Sequence, residues 1–147
     1  MDLSIIIFLL GGLFLGWSLG ANDAANVFGT AVGTRMVRFK TAAIVCSIFV
    51  ILGAIISGAG TTETLGKLGA INALPGAFAA CVAAGLSVYL MTKVGLPVST
   101  TQAIVGAIVG WNLYTGSATN IKVLITILVT WVLCPVIAGL IAMGFFT

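Results

Sequence analysis

Charged residues are so sparse in this sequence that most of the chain can fold only in a lipid bilayer. Six basic and three acidic residues are spread over 147 positions, and 61% of the residues are hydrophobic. An ordinary soluble domain carries charge on about a quarter of its residues. A bilayer offers no partners for backbone N–H and C=O groups, so its apolar segments cross it as helices. The sequence therefore predicts an all-α integral membrane protein that crosses the cell membrane several times.

Five apolar segments define the expected architecture. The predicted spans are residues 3–34, 41–59, 75–91, 100–113 and 121–146. The first is longer than the roughly 20 residues that one crossing needs. We therefore expect this helix to be broken or bent near Asn22 and Asp23. The segment 100–113 is short for a crossing, and Pro97 separates it from 75–91. These two pieces form either a re-entrant helical hairpin or two separate spans.

Two further patterns concern helix orientation and packing. Residues 35–40 contain three basic side chains, so the positive-inside rule places this loop on the cytoplasmic side and the N-terminus outside. Gly12, Gly16 and Gly20 recur every four residues in the first segment. Small residues at that spacing predict a ridge along which another helix packs closely.

The segment 20–30 carries polar side chains inside an otherwise apolar helix. Asn22, Asn26 and Thr30 are spaced four residues apart, so on a helix they share one face, and Asp23 lies beside it. A carboxylate at bilayer depth costs about 2.5–3.5 kcal/mol, so it is expected to face a cavity, a partner or an ion. Carboxylate and amide oxygens suit a hard cation such as Na⁺. The alternative is that these side chains only hold helices together.

A second polar motif places three consecutive hydroxyls, Ser99, Thr100 and Thr101, at the expected start of a helix. Ser99 is followed three residues later by Gln102, which is a capping-box pattern. A helix N-terminus exposes unpaired N–H groups and the positive end of the dipole, which suits an anion such as phosphate. The alternative is that Ser99 is only an N-cap and that the threonines bond to their own helix. Transporters commonly build binding sites from helix ends of this kind.

Other classes of protein are disfavoured by what the sequence lacks. It contains no histidine, no nucleophile–base pair and no cofactor-binding pattern, so an enzyme is not expected. The net charge of +3 is dispersed and forms no basic patch for nucleic acid. Cys46, Cys81 and Cys134 lie far apart in apolar segments and are predicted to be small core residues. No cofactor is expected other than a coupling ion.

Both polar motifs resemble signatures of the inorganic phosphate transporter (PiT) family, which comprises Na⁺- or H⁺-coupled phosphate symporters. The first signature is matched by residues 20–30 and the second by residues 95–107. At Gln102 the family usually has histidine. Residues 61–67 and 131–135 also resemble segments of the family. The resemblance therefore extends over nearly the whole chain.

The resemblance, together with the polar helix face described above, implies a role for each motif. The expected phosphate ligands are Ser99, Thr100, Thr101, Asn22 and Asn26. The expected cation ligands are Asp23, Asn22, Asn26, Thr30 and Glu63, with Na⁺ held at Asp23 and Asn22. Glu63 would be an ordinary loop charge on composition alone, and the resemblance makes it a functional carboxylate. Because Gln102 cannot relay a proton, Na⁺ coupling is favoured over H⁺ coupling.

Members of this family carry the whole pattern twice, as inverted halves around one site, whereas residues 1–147 carry it once. We therefore expect one transporter half, which is either part of a longer protein or a half-sized chain that pairs with itself or with a separate second half. The expected function is Na⁺-coupled transport of inorganic phosphate across the bilayer. The alternatives are sulfate as substrate, H⁺ coupling, a passive channel, and a membrane subunit that transports nothing.

Overall fold

The computed structural model describes residues 3–69 and 74–146, and within these ranges the chain is helical apart from short connections. Residues 70–73, between the second and third predicted spans, lie outside the described residues. The helices are α1 (Leu3–Gly33), α2 (Phe39–Leu68), α3 (Leu74–Lys93), α4 (Thr100–Thr115) and α5 (Ile121–Phe146). Four of them, all except α4, are long and apolar enough to cross a membrane. The prediction of an all-α membrane protein is confirmed.

The first helix is continuous, which corrects the break that we predicted near Asn22 and Asp23. α1 has 31 residues, which corresponds to about 46 Å of helix against an apolar core of about 30 Å. A helix longer than the bilayer is accommodated by tilting or by extending beyond the core. The polar segment does not interrupt α1, because side chains and a carbonyl group of the neighbouring hairpin bond to its polar residues.

α2 is longer than the predicted second span, because it continues through the polar segment up to Leu68. The hydroxyls of Thr62 and Thr64 each donate to a carbonyl oxygen one turn earlier, at 2.9 Å. Such bonds satisfy the hydroxyls within the helix. Glu63 and Lys67 form an ion pair at a spacing of four residues, which further supports helix. A segment that we expected to be a loop is therefore helical.

α3 and α4 form an antiparallel helical hairpin that turns at Pro97. Gly76, near the start of α3, packs against the indole of Trp111, near the end of α4. Ser99 is the N-cap of α4, and its hydroxyl oxygen accepts from the backbone N–H of Gln102 at 3.3 Å. The start of α4 is thus where the capping pattern predicted it. With 16 residues, α4 is about 24 Å long.

α1 runs parallel to α3 and makes the most extensive helix contact of the fold. The closest approaches follow the same order along both helices: Gly11 with Phe78, Phe14 with Gly85, and Asn22 with Thr92. This packing fixes the position of the hairpin turn beside the polar segment of α1.

The predicted glycine ridge does not form this contact. A Cβ atom added at Gly12, Gly16 or Gly20 would meet no other atom within 4 Å. At Gly11 and Gly85, in contrast, it would lie 2.8 Å from a phenylalanine ring. The four-residue spacing identified a smooth face of α1, but α3 packs on a different one.

A small core joins α2, α3 and α4 at the end of the hairpin away from its turn. Its buried members are Leu68, Ala80, Val105 and Ile108. α2 and α5 extend well beyond this core, and most of their side chains there are exposed, as expected for helices that face lipid. The hairpin turns back alongside these longer helices.

Candidate functional site

The two polar motifs meet where the first turn of α4 packs against α1. The hydroxyl of Thr100 donates to Oδ1 of Asp23 at 3.2 Å. Thr100 is buried, and Asp23 is half-buried. The carboxylate thus lies at the N-terminal end of α4, where the helix dipole favours negative charge. Parallel packing of α1 on α3 and the reversal of the chain at the hairpin turn bring these two residues together.

Asn22 bonds to both sides of the hairpin turn. Its buried amide lies 2.8 Å from the carbonyl oxygen of Val98 and 2.9 Å from the hydroxyl of Thr92. With Nδ2 directed to Val98, the amide donates to that carbonyl and accepts from the threonine. The opposite orientation would set two acceptors 2.8 Å apart, so it is disfavoured. Asn22 therefore joins α1 to the end of α3 and to the segment before α4.

An open groove with a volume of about 510 Å³ lies beside this contact, and we name it the carboxylate groove. It is lined by Asp23, Asn26, Val27, Pro97, Val98 and Ser99. The hydroxyl oxygen of Ser99 accepts from the α4 backbone, so its proton remains available to a ligand. The exposed amide of Asn26 offers both a donor and an acceptor. The groove therefore combines carboxylate oxygens with uncharged hydrogen-bond donors.

Thr101 faces a different groove, although it is adjacent to Thr100 in the sequence. Consecutive residues of a helix point about 100° apart. Thr101 accordingly lines a second groove of about 350 Å³ between α2, α4 and α5, which we name the hydroxyl groove. Its lining residues are Ser57, Gly60, Thr61, Thr64, Leu65, Thr101, Val105 and Ile127. The three hydroxyls that the sequence grouped into one phosphate site are thus separated: Ser99 lines the carboxylate groove, Thr101 lines the hydroxyl groove, and Thr100 is buried against Asp23.

Two further predicted ligands lie outside both grooves. Thr30 is exposed on α1, two turns after Asn22, and its carbonyl oxygen accepts from the hydroxyl of Thr34 at 2.8 Å. Glu63 is exposed on α2 and pairs with Lys67. Among the residues that the structure describes, neither side chain contacts Asp23.

Sequence reasoning missed two groups that complete the site, the hydroxyl of Thr92 and the carbonyl of Val98. A backbone carbonyl leaves no signal in a sequence. Thr92 did have one, because it is a polar residue in the last turn of an apolar helix, directly before the turn of the hairpin.

Replacing Asn22 by leucine is expected to destabilise the contact between α1 and the hairpin. The substitution leaves the carbonyl of Val98 without its donor, and an unsatisfied buried polar group costs about 1–3 kcal/mol. It also removes the contact with the hydroxyl of Thr92, which still donates to the carbonyl oxygen of Val88 at 2.8 Å. The matched control is Thr30→Leu, because Thr30 lies two turns further on the same face of α1 but is exposed. Asn26 is less suitable, since its amide lies 3.2 Å from that of Asn22. Thermal unfolding in detergent measures both variants. Equal melting temperatures for the two would contradict the role of Asn22.

Comparison with known proteins gives a match over the region that contains both polar motifs. A model described as the phosphate transporter family matches residues 19–147. A candidate phosphate permease of Pyrococcus furiosus is 35% identical over 152 residues, covering 96% of this chain and 37% of that protein. One of Chlamydia pneumoniae is 36% identical over 149 residues, covering 94% and 35%. One of Haemophilus influenzae is 34% identical over 147 residues, covering 92% and 35%.

The chain spans a little over a third of the length of these relatives. No solved structure is significantly similar to it. The family match nevertheless includes both polar motifs and all but the first eighteen residues. The described part of the chain contains four apolar helices of membrane-spanning length, which agrees with that assignment. The chain is therefore a multi-pass membrane protein that belongs to the phosphate transporter family.

Proposed function

We propose that this chain supplies the substrate and cation site of a secondary transporter that moves inorganic phosphate together with Na⁺. The observation that carries the proposal is the 3.2 Å contact between Thr100 and Asp23. It joins an acidic, amide-rich segment of one helix to the N-terminal end of another. The first suits a cation with oxygen ligands, and the second suits an anion.

In this proposal the residues of the carboxylate groove divide the binding between them. Asp23 and the amide oxygen of Asn26 hold Na⁺. The hydroxyl of Ser99 and the amide N–H of Asn26 donate to phosphate oxygens. Asn22 fixes the hairpin turn against α1, because its own amide is already bonded on both sides. Uncharged donors suit a transporter, since they bind the anion without holding it as tightly as a fixed positive charge would.

Coupling would follow from the charge of Asp23. Two like charges about 4 Å apart repel by about 4 kcal/mol at an effective dielectric constant of about 20. Phosphate would therefore bind weakly beside an unoccupied carboxylate and much more tightly once Na⁺ neutralises it. By linkage, phosphate would raise the affinity for Na⁺ by the same factor. This mutual dependence favours joint movement of the two ions.

We further propose that a second copy of this architecture completes the site, either in the same polypeptide or in another one. The carboxylate groove is open, and both Asn26 and Thr30 are exposed on the same side of α1. Exposing polar side chains to lipid costs free energy. The relatives are also much longer than this chain. If cross-linking in membranes showed that single, unpaired copies of this architecture transport phosphate, this arrangement would be contradicted.

Uptake of labelled phosphate into proteoliposomes tests the function. Vesicles containing the chain are given an inward Na⁺ gradient, and a K⁺ gradient of equal size is the control. We expect accumulation with Na⁺ only. Equal uptake in both gradients would overturn Na⁺ coupling. Absence of uptake by folded protein would mean that this chain forms one wall of the site. In that case, Na⁺-dependent binding of phosphate to the assembled protein replaces uptake as the test.

Competition by sulfate then distinguishes the substrate. Both anions are tetrahedral, but phosphate near neutral pH retains a proton that it can donate, whereas sulfate has none. Asp23 offers an acceptor for that proton. We expect a tenfold excess of sulfate to leave phosphate uptake nearly unchanged, and strong competition would favour the sulfate alternative.

A further inference from the structure

The hydroxyl groove is a polar feature that the proposed transport site does not use. On α2, Ser57, Thr61 and Thr64 are spaced four and three residues apart and therefore share one face of the helix. Thr101 faces them from the first turn of α4. Four hydroxyls on exposed residues thus line an open groove between three helices, and apolar side chains form the rest of its wall.

Three of these hydroxyls lack the bond that other hydroxyls in this fold make. Within α2, α3 and α5, hydroxyls commonly donate to the carbonyl oxygen one turn earlier, as in Thr62 and Thr126, both at 2.9 Å. Thr64 does the same. Ser57, Thr61 and Thr101 have no side-chain hydrogen bond to any other residue in the described parts of the chain. An unsatisfied hydroxyl away from water is costly, so these three require a hydrogen-bonding solvent.

The groove has the size and shape to contain that solvent. A volume of about 350 Å³ corresponds to roughly ten water molecules at about 30 Å³ each. At the end away from the hairpin turn, the buried side chains of Leu68 and Ile108 close the space between α2 and α4. Water would therefore enter from the other end or from between α2 and α5.

The groove borders the same turn of α4 that contacts the proposed transport site. Thr101 lies next to Thr100, whose hydroxyl contacts Asp23 on the opposite side of α4. The first turn of α4 is thus flanked by the carboxylate groove on one side and by the hydroxyl groove on the other. No carboxylate lines the hydroxyl groove, so its chemistry suits water and small uncharged or hydrated solutes better than a tightly held cation.

We propose that the hydroxyl groove is a water-filled crevice within the membrane, which forms a second aqueous approach to the start of α4. This inference goes beyond the proposed transport function and does not depend on it. It predicts that one face of α2 is exposed to water over two turns, although the surrounding faces of the same helix contact lipid.

Thiol labelling tests this prediction directly. The native cysteines at positions 46, 81 and 134 are first replaced by alanine, and the groove variants are Ser57→Cys and Thr61→Cys. Both are close in size to the native residues. The matched controls are Ile48→Cys and Ile55→Cys, which lie on the opposite face of α2 and are exposed. A charged, water-soluble methanethiosulfonate is applied to membranes opened by freezing and thawing, so that both sides are reached.

We expect the groove cysteines to react at least tenfold faster than the controls. Equal rates at the two faces would overturn the proposal. A second measurement on the unsubstituted chain guards against misfolded variants. Hydroxyl radicals generated from water should modify Leu65, in the groove, much more than Leu52, which is exposed on α2 outside it. Similar modification of both leucines would also overturn the proposal. Neither measurement involves phosphate or Na⁺, so a failure of the transport proposal would not affect them.

Discussion

Na⁺-driven phosphate uptake is expected to fall by at least about 100-fold when Asp23 is replaced by asparagine. The amide retains an oxygen that accepts the hydroxyl of Thr100, so the contact between α1 and α4 is preserved. The negative charge that would hold Na⁺ is lost, and removing a partly buried charge interaction costs about 3 kcal/mol, or roughly 100-fold. Uptake is measured in proteoliposomes, or in the assembled transporter if the chain alone is inactive.

The control for this variant is Thr30→Val. Thr30 belongs to the polar face that the sequence predicted as cation-binding, but the structure has it exposed, two turns after Asn22 and outside the carboxylate groove. We expect its replacement to change uptake less than threefold. Unchanged Na⁺ dependence in Asp23→Asn would contradict the cation role of Asp23. A loss in Thr30→Val as large as in Asp23→Asn would show that the cation site extends along α1.

A large loss of stability is expected when Gly85 is replaced by alanine. The added Cβ would lie 2.8 Å from the ring of Phe14 and 3.3 Å from the backbone of Leu15, in the contact between α1 and α3. Overpacking of this kind costs about 1–3 kcal/mol. Because the same contact sets the hairpin turn beside Asp23, uptake should fall together with the melting temperature.

Gly106→Ala is the matched control for this prediction. Gly106 lies within α4, and an added Cβ would meet no atom within 4 Å. Alanine is favoured over glycine in a helix by about 0.5–1 kcal/mol, so the sign of the effect should reverse. Thermal unfolding in detergent compares the two variants. A melting temperature for Gly85→Ala at or above that of Gly106→Ala would show that α1 and α3 do not pack as described.

The class of fold and the approximate positions of the helices could be predicted from the sequence. Long apolar segments allow one solution in a bilayer, because helices satisfy their own backbone groups. The start of α4 was predictable for a similarly local reason, since the Ser99 hydroxyl reaches the backbone N–H of Gln102 within the same turn. Interactions between residues three or four positions apart can be predicted directly from the sequence.

The break predicted in α1 was wrong for a physical reason that is not local. Asn22 and Asp23 are polar enough to suggest an interrupted helix, but their partners, Thr92, Val98 and Thr100, come from the hairpin about seventy residues later in the chain. A polar side chain that is already hydrogen-bonded to a neighbouring helix does not need the backbone groups of a broken helix as partners. The end of α2 was misplaced for a different, local reason: the polar segment was expected to be a loop, although the hydroxyls of Thr62 and Thr64 can be satisfied by carbonyl oxygens of their own helix.

The residue types of the candidate site and their arrangement as two short motifs could be predicted from the sequence. The ligands that these residues bind remain a prediction. Which of these residues share a groove did not follow from it. Asn22 turned out to be bonded on both sides, Thr101 faces a second groove, and Thr30 and Glu63 lie apart from Asp23. Helical periodicity determines which side chains share a face, but the packing of α1 on α3 and the turn of the hairpin select the face that meets a partner. That selection depends on contacts between residues far apart in the chain, such as Gly85 with Phe14, so it exists only in the folded structure.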